Sequence, residues 1–320
     1  MSNPARLIIV DDTDPNIRYT GPWTQTNDAT LHDADTLGLT LDNTLHALNA
    51  NGSFSFNFTG NLASTSATYS IDGAAPIRTD PSWVCLVDGN PIPSHVPETP
   101  FPNVENNWVL CQSGFLPDGP HHIEVQVTVL SAGGFTFWFD YFEYVPSRSV
   151  PLDDATIYVN YTDPAIQYGP GWSISSNSTA TTMAEANLAF DFVGVQLTWF
   201  GTILANLTLE PTSATFSTYS INGTAPIRFS VPSSLGSLSP NNLTVFKTQQ
   251  LPPGKHHLEV VHGGNAQTPP LTLQYFVIQN GSTSRTSSTE GNPLQSSSSS
   301  SLEPTTLPLP RPHSPPASKF

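Results

Sequence analysis

The chain has 320 residues, of which only 11% are charged, and its net charge is −15. An average soluble domain is about 25% charged; here Ser, Thr, Pro, Gly and Asn fill the gap, a loop-rich and β-rich composition typical of exported proteins. Residues 1–150 hold 16 acidic and 4 basic side chains, a balance that argues against nucleic acid and against an anionic membrane surface as partners.

In chain order, the first predicted element is the apolar run Leu7, Ile8, Ile9 and Val10. It reads as a strand, because four residues are too few for a signal-peptide core. No stretch approaches the roughly 18 apolar residues of a membrane span. Phe54, Phe56 and Phe58 alternate with polar residues, so they share one face of a strand. Residues 121–129 alternate in the same way, and 135–144 is aromatic throughout and closes the first domain. Pro and Ser break the pattern at 146–152. Strands then resume at 190–192, 195–200, 257–261 and 271–277. No segment has helical periodicity. After Gln279 the chain turns Ser/Thr/Pro-rich, and such a segment cannot bury enough apolar surface to offset its ordering entropy. The prediction is an all-β protein: two tandem antiparallel β-sandwich (jelly-roll) domains at 6–146 and 153–279, then a disordered tail at 280–320 that reads as an O-glycosylated stalk.

The two domains are copies. Thr13-Asp14-Pro15, Ile17 and Tyr19 return as Thr162-Asp163-Pro164, Ile166 and Tyr168, with Trp23 and Trp172 four residues on. Thr68-Tyr69-Ser70-Ile71-Asp72-Gly73 matches Thr218-Tyr219-Ser220-Ile221-Asn222-Gly223, and Ala-Pro-Ile-Arg follows in each, ending at Arg78 and Arg228. Leu116-Pro117 with Gly119 and His121-His122 matches Leu251-Pro252 with Gly254 and His256-His257. Duplication favours a binding or surface module, which gains avidity, over a catalyst. On this match Gly60 lies 9 residues before Tyr69, whereas Gly194 lies 25 before Tyr219. The first domain is therefore expected to lack one strand: either residues 37–48 repair the sheet, or the domain is weaker, or the segment has been spliced away.

The blocks Val10-Asp11-Asp12-Thr13-Asp14-Pro15 with Tyr19 and Trp23, Phe54 to Gly60, Tyr69 to Gly73, His121 to Val125, and Phe139-Asp140-Tyr141-Phe142 resemble a large group of surface proteins of mushroom-forming fungi. Those proteins pair two galactose-binding-like jelly rolls with a Ser/Thr-rich stalk, usually followed by a transmembrane helix. The resemblance covers residues 6–279 and the start of the stalk; the helix has no counterpart in this sequence. It implies an extracellular or cell-surface β-sandwich glycoprotein with glycan binding, and it supplies no binding residue.

The remaining candidates come from the residues. Cys85 and Cys111 both fall between the Pro-Ile-Arg and Leu-Pro blocks, an interval of 37 residues in copy one and 22 in copy two. A disulfide closing that longer loop fits the exported composition, with two separate buried thiols as the alternative. Trp83 and Trp108 flank the cysteines, and loops carry specificity, so they are candidate sugar-stacking residues. Trp23 and Trp172 repeat at one motif position and read as core plugs, with a stacking platform as the alternative. Asp11, Asp12 and Asp14 with Asp140 are a candidate calcium set; turn capping is their other role. His121-His122 and His256-His257 alternate faces on a strand and cannot readily chelate one ion. Eight Asn-x-Ser/Thr sequons are glycosylation candidates: Asn51, Asn57, Asn160, Asn177, Asn206, Asn222, Asn242 and Asn280. No Gly-x-Ser-x-Gly, zinc spacing or phosphate loop occurs, and no carboxylate pair is marked out by position. The first reading is a non-enzymatic protein with no cofactor beyond that calcium, whose partner is a glycan. The alternative is an adhesive ectodomain whose partner is a cell-surface protein, and a glycoside hydrolase comes last. A concave aromatic cleft would favour glycan, a flat apolar patch a protein.

Overall fold

A computed structural model describes residues 6–27, 40–69, 80–95, 105–130, 136–175, 177–204, 215–232 and 241–281. The expected disordered tail lies, apart from Asn280 and Gly281, outside the described residues. The chain is all-β and antiparallel. The first half supplies β1 (Leu7–Asp11), β2 (Arg18–Thr20), β3 (Thr24–Thr26), a 3-10 turn (Leu41–Asn43), β4 (Leu45–Leu48), β5 (Gly52–Tyr69), β6 (Ser82–Val87), β7 (Asn90–Pro91), β8 (Glu105–Gln112), β9 (Gly119–Thr128) and β10 (Phe137–Pro146). The second supplies β11 (Thr156–Asn160), β12 (Ile166–Tyr168), β13 (Ser173–Ser175), β14 (Ser178–Thr181), β15 (Asn187–Gly194), β16 (Gln196–Gly201), β17 (Phe216–Ile221), β18 (Ile227–Ser230), β19 (Leu243–Lys247), β20 (Gly254–Val261), β21 (Leu271–Leu273) and β22 (Tyr275–Gln279).

Period-two patterning builds the cores. β9 buries Ile123, Val125 and Val127 between exposed or half-buried polar neighbours, and β15 buries Leu188, Phe190 and Phe192 on the same alternation. Each half has its own apolar cluster, one around Phe54, Phe139 and Phe142 and one around Phe190, Trp199 and Phe276. A fully buried aromatic of this kind contributes about 1.5–3 kcal/mol.

The halves correspond contact by contact. Tyr19 donates to the Asp12 carbonyl and Tyr168 to the Tyr161 carbonyl, both at 2.7 Å. The Tyr19–Trp23 rings lie 5.3 Å apart and tilted by 54°, and Tyr168–Trp172 lie 5.4 Å apart and tilted by 54°. His121 and His256 each reach a carbonyl four residues back, Pro117 and Pro252, at 2.7 and 2.8 Å.

The missing strand is present. Residues 52–60 of β5 pair with β9 as β15 pairs with β20. Residues 60–68 then pair with β10 as β16 pairs with β22, and with β8 as β16 pairs with β19. Gly60 and Gly194 are the matching bend points. A Cβ on Gly60 would sit 2.0 Å from the Val145 carbonyl oxygen, and one on Gly194 2.7 Å from that of Gln279. The strand that pairs with β9 as β17 pairs with β20 is β6, with Val87 opposite Ile123 as Ile221 is opposite Leu258. Val87-Asp88-Gly89 is thus the counterpart of Ile221-Asn222-Gly223. Asp88 and Asn222 prove it: each side chain accepts the backbone N–H of the second histidine, His122 at 2.9 Å and His257 at 2.8 Å. The sequence match had aligned Ser70 to Gly73 instead, and those residues lie outside the described ones.

Cys85 and Cys111 are bonded to each other. They sit on β6 and β8, not in a loop peculiar to the first copy. By register Cys85 takes the place of Tyr219 and Cys111 that of Phe246. In the second half those two rings stack at 4.3 Å and 5°. One copy links β6 to β8 covalently where the other stacks two aromatics.

The two halves share a sheet. β1 pairs antiparallel with β11, with Leu7 opposite Tyr158 and Ile9 opposite Thr156. The order β19-β16-β22-β11-β1-β10 is therefore continuous across the duplication. Arg6 adds an ion pair to Asp163 at 2.8 Å.

Candidate ligand-binding groove

Strand alternation decides what this shared sheet presents. Ile8, Val10, Phe142, Ile157, Val159, Leu197, Trp199, Phe276 and Ile278 point into the cores. Their neighbours of opposite parity lie together on the other face of the sheet, Ile9, Val277 and Thr198 among them buried, and line a groove of about 510 Å³, a size that suits a small ligand. The floor consists of cross-strand rows. One runs Asn160–Tyr275–Phe200–Thr244, the next Leu7–Tyr158–Val277–Thr198–Lys247, and a third Glu143–Ile9–Thr156–Gln279. The rings form a ladder: Phe200 stacks on Tyr275 at 4.7 Å and 17°, and Tyr275 lies 4.6 Å from Tyr158 at 31°. Tyr141 lines the same groove from β10. Asn107, Asn242 and residues 40–43 complete its lining.

Burial keeps the phenols protonated. It pushes Tyr158 up to about 12, against a lowering hydrogen bond from Asn160 and with Glu143 adding repulsion. Tyr275 is raised well above its ordinary value, first by burial and then by Tyr141, Tyr158 and Glu143. Both remain neutral hydroxyls at any physiological pH. The Asn160 amide donates to the Tyr158 hydroxyl at 3.2 Å, and its oxygen accepts from the backbone N–H and hydroxyl of Thr162 at 3.0 and 2.8 Å. Among the described lining residues, Asp42, Glu143 and Lys247 carry charge. The remainder offers ring faces and edges, hydroxyls, amides and aliphatic surface.

None of the four tryptophan candidates lines this groove. Trp83 is buried and its indole donates to the Leu110 carbonyl at 3.3 Å. Trp108 packs against the first core and donates to the His95 carbonyl at 2.8 Å. Trp23 stands edge-on to Phe54 and donates to the Thr20 and Ser53 carbonyls at 3.1 Å. Trp172 packs against the second core and donates to the Asn187 carbonyl at 2.8 Å. The repeated pair are core plugs. Trp83, expected at a binding loop, is a core plug as well, because β6 is a core strand.

The four aspartates are occupied locally. Asp12 is fully buried, accepts from Thr44 at 2.6 Å and faces His46 Nδ1 at 2.6 Å. Asp11 accepts from the Thr13 backbone at 3.1 Å and from its hydroxyl. Asp14 accepts from the Asn16 backbone at 2.8 Å. Asp140 is fully buried and accepts from Leu41 N–H at 3.2 Å. Burial, then the Asp11 and Asp12 charges, hold Asp140 well above the carboxylate range. Among the described residues no group of three or more His, Cys, Asp or Glu is arranged to hold a metal ion. Of the sequons, Asn160 and Asn242 line the groove, and Asn206 lies outside the described residues.

The groove could have been found from the sequence by one signal. Tyr141, Tyr158, Phe200 and Tyr275 have the parity opposite to the core residues of their strands, where a solvent-facing sheet would carry polar side chains.

No family model and no curated protein matches the chain. Among solved structures, it is similar to a xanthan lyase of Paenibacillus at 11% identity and a TM-score of 0.31, covering 88% of this chain and 27% of that one. It is similar to the tandem CBM22-1-CBM22-2 domains of Paenibacillus barcinonensis Xyn10C at 8% identity and a TM-score of 0.27, covering 88% and 100%. The plant receptor-like kinase FER matches at 10% identity and a TM-score of 0.25, covering 85% and 95%. None of the three bears on what this chain binds.

Proposed function

We propose that this chain is a non-enzymatic, exported β-sandwich protein that binds a neutral glycan in the groove shared by its two copies. The observation that carries the reading is the Phe200–Tyr275–Tyr158 ladder lying in a concave, amide- and hydroxyl-rimmed floor. Sugars present apolar C–H surface beside hydroxyls, and aromatic rings beside Asn, Gln and Thr match both. A flat apolar patch would have suited a protein partner; this surface is concave and mixed. The buried Cys85–Cys111 bridge supports residence in an oxidising compartment.

The test is retention on a broad panel of neutral polysaccharides and oligosaccharides, using protein made in bacteria so that no sugar is attached. Wild type is retained. Tyr275→Ala and Tyr158→Ala each weaken binding by about 1 kcal/mol, roughly fivefold in Kd, while Trp108→Phe leaves it unchanged. No retention on any member of the panel sinks the glycan reading. Retention untouched by both tyrosine variants moves the site elsewhere. Turnover of chromogenic glycosides, lost in Glu143→Gln, would overturn the non-enzymatic part.

A further inference from the structure

Two sequons stand at opposite ends of one row of the groove floor. Asn160 on β11 pairs with Tyr275, Tyr275 with Phe200, and Phe200 with Thr244. Thr244 is the third residue of the Asn242-Leu243-Thr244 sequon. Strands lie about 4.8 Å apart, so the row spans roughly 14 Å, and its two central members are the stacked rings. At the Asn160 end, the amide nitrogen that would carry a sugar donates to the Tyr158 hydroxyl in the groove. The Thr162 hydroxyl of the same sequon donates to the Asn160 side-chain oxygen at 2.8 Å, which leaves the amide nitrogen turned toward the groove. A glycan attached there begins beside Tyr158, with the Tyr275–Phe200 pair on the neighbouring strands.

We propose that Asn160 is an N-glycosylation site whose own glycan occupies the groove, so that the modified protein is self-liganded and only protein unmodified at Asn160 takes up glycan from outside. The inference rests on the groove being a glycan site. Tethering converts binding into an intramolecular event with an effective concentration in the mM range, which dilute external sugar does not match. The surface is thereby regulated by site occupancy rather than by a conformational change.

The test uses the full chain secreted from yeast beside the bacterial protein. Glycopeptide mass spectrometry reads occupancy at Asn160. Endoglycosidase trimming of the native protein reads whether that glycan is sheltered, independently of any external ligand. The expected result is an occupied Asn160 that resists trimming while exposed sites such as Asn51 and Asn177 are trimmed. Tyr275→Ala should make the Asn160 glycan as susceptible as the others. Retention on the glycan panel should be roughly tenfold weaker for the yeast protein than for the bacterial protein. Thr162→Ala, which abolishes the sequon, should restore it; Thr162→Ser, which keeps sequon and hydroxyl, should not. An unoccupied Asn160, or a native glycan trimmed as fast as its neighbours, overturns the inference. Failure of the bacterial protein to bind any glycan overturns the functional reading instead, and the trimming result separates the two.

Discussion

Asp11 offers a test in which one copy of the domain serves as the template for correcting the other. Burial raises its carboxyl to about 6 from an ordinary 3.8, eased by hydrogen bonds from Thr13 and raised further by Asp12. A carboxyl whose folded value is raised holds its proton more tightly in the native state than in the unfolded chain. Between those two values the native protein carries the extra proton, so stability falls as pH rises from about 4 through 6. The gap corresponds to about 3 kcal/mol at neutral pH, and partial exposure reduces this to about 1–2 kcal/mol. The counterpart in the second copy is Asn160, whose oxygen accepts the same two hydrogen bonds from Thr162 that Asp11 accepts from Thr13. Asp11→Asn therefore removes the ionisation penalty and keeps the turn. Because it creates an Asn-x-Thr sequence, the variant is best made in bacteria. Urea denaturation at about pH 7.5 should show it more stable than wild type by about 1–2 kcal/mol, roughly 5 °C in thermal midpoint. At about pH 4 the difference should vanish. An equal effect at both pH values, or a loss of stability at pH 7.5, would refute the reasoning.

Four further perturbations probe the fold. Gly60→Ala and Gly194→Ala drive a Cβ into backbone carbonyls at the matched bends, and each should cost about 3 kcal/mol or more in chemical denaturation, Gly60→Ala the more; a neutral variant would mean that the bend is misdescribed. Cys85 and Cys111 are 26 residues apart, so reduction should destabilise by about 3.5 kcal/mol on the chain-entropy account, read by chemical denaturation with and without reductant. Asp88 is held below the carboxylate range by the His121 ring and the His122 N–H. For His121, burial lowers the imidazole, but Asp88 and the Pro117 carbonyl outweigh it and leave it raised. The histidine's contribution is present below its ordinary 6.5 and lost as pH rises through the higher folded value. That of Asp88 is present above about 4 and lost as pH falls through its lower folded value. Asp88→Asn, which copies Asn222, should thus lower the denaturation midpoint more at about pH 5.5 than at about pH 8.5, and a proton NMR titration should show the His121 value falling.

The sandwich class and the duplication were legible because period-two patterning and the Tyr19/Trp23 and Tyr168/Trp172 motifs are local. The strand correspondence was not. Tyr69 to Gly73 matches Tyr219 to Gly223 in letters, whereas Val87-Asp88-Gly89 makes the equivalent hydrogen bonds. The resemblance of Cys85 and Cys111 to Tyr219 and Phe246 is invisible in sequence, since a disulfide and a ring stack share a position and nothing else. The groove escaped because it forms where β1 pairs with β11, a contact between copies, and its one local trace was the parity of Tyr141, Tyr158, Phe200 and Tyr275. Trp drew notice as the largest rings, yet the four candidates spend their indole N–H groups on backbone carbonyls, and the rings that line the groove are tyrosines and a phenylalanine.

The most direct measurement of the central claim is a crystal structure of the bacterially produced protein with the oligosaccharide that it retains best. Sugar density should lie along Phe200, Tyr275 and Tyr158, within hydrogen-bonding reach of Asn160 or Gln279. Density at the loop ends beside Trp108, with the shared sheet bare, would contradict it.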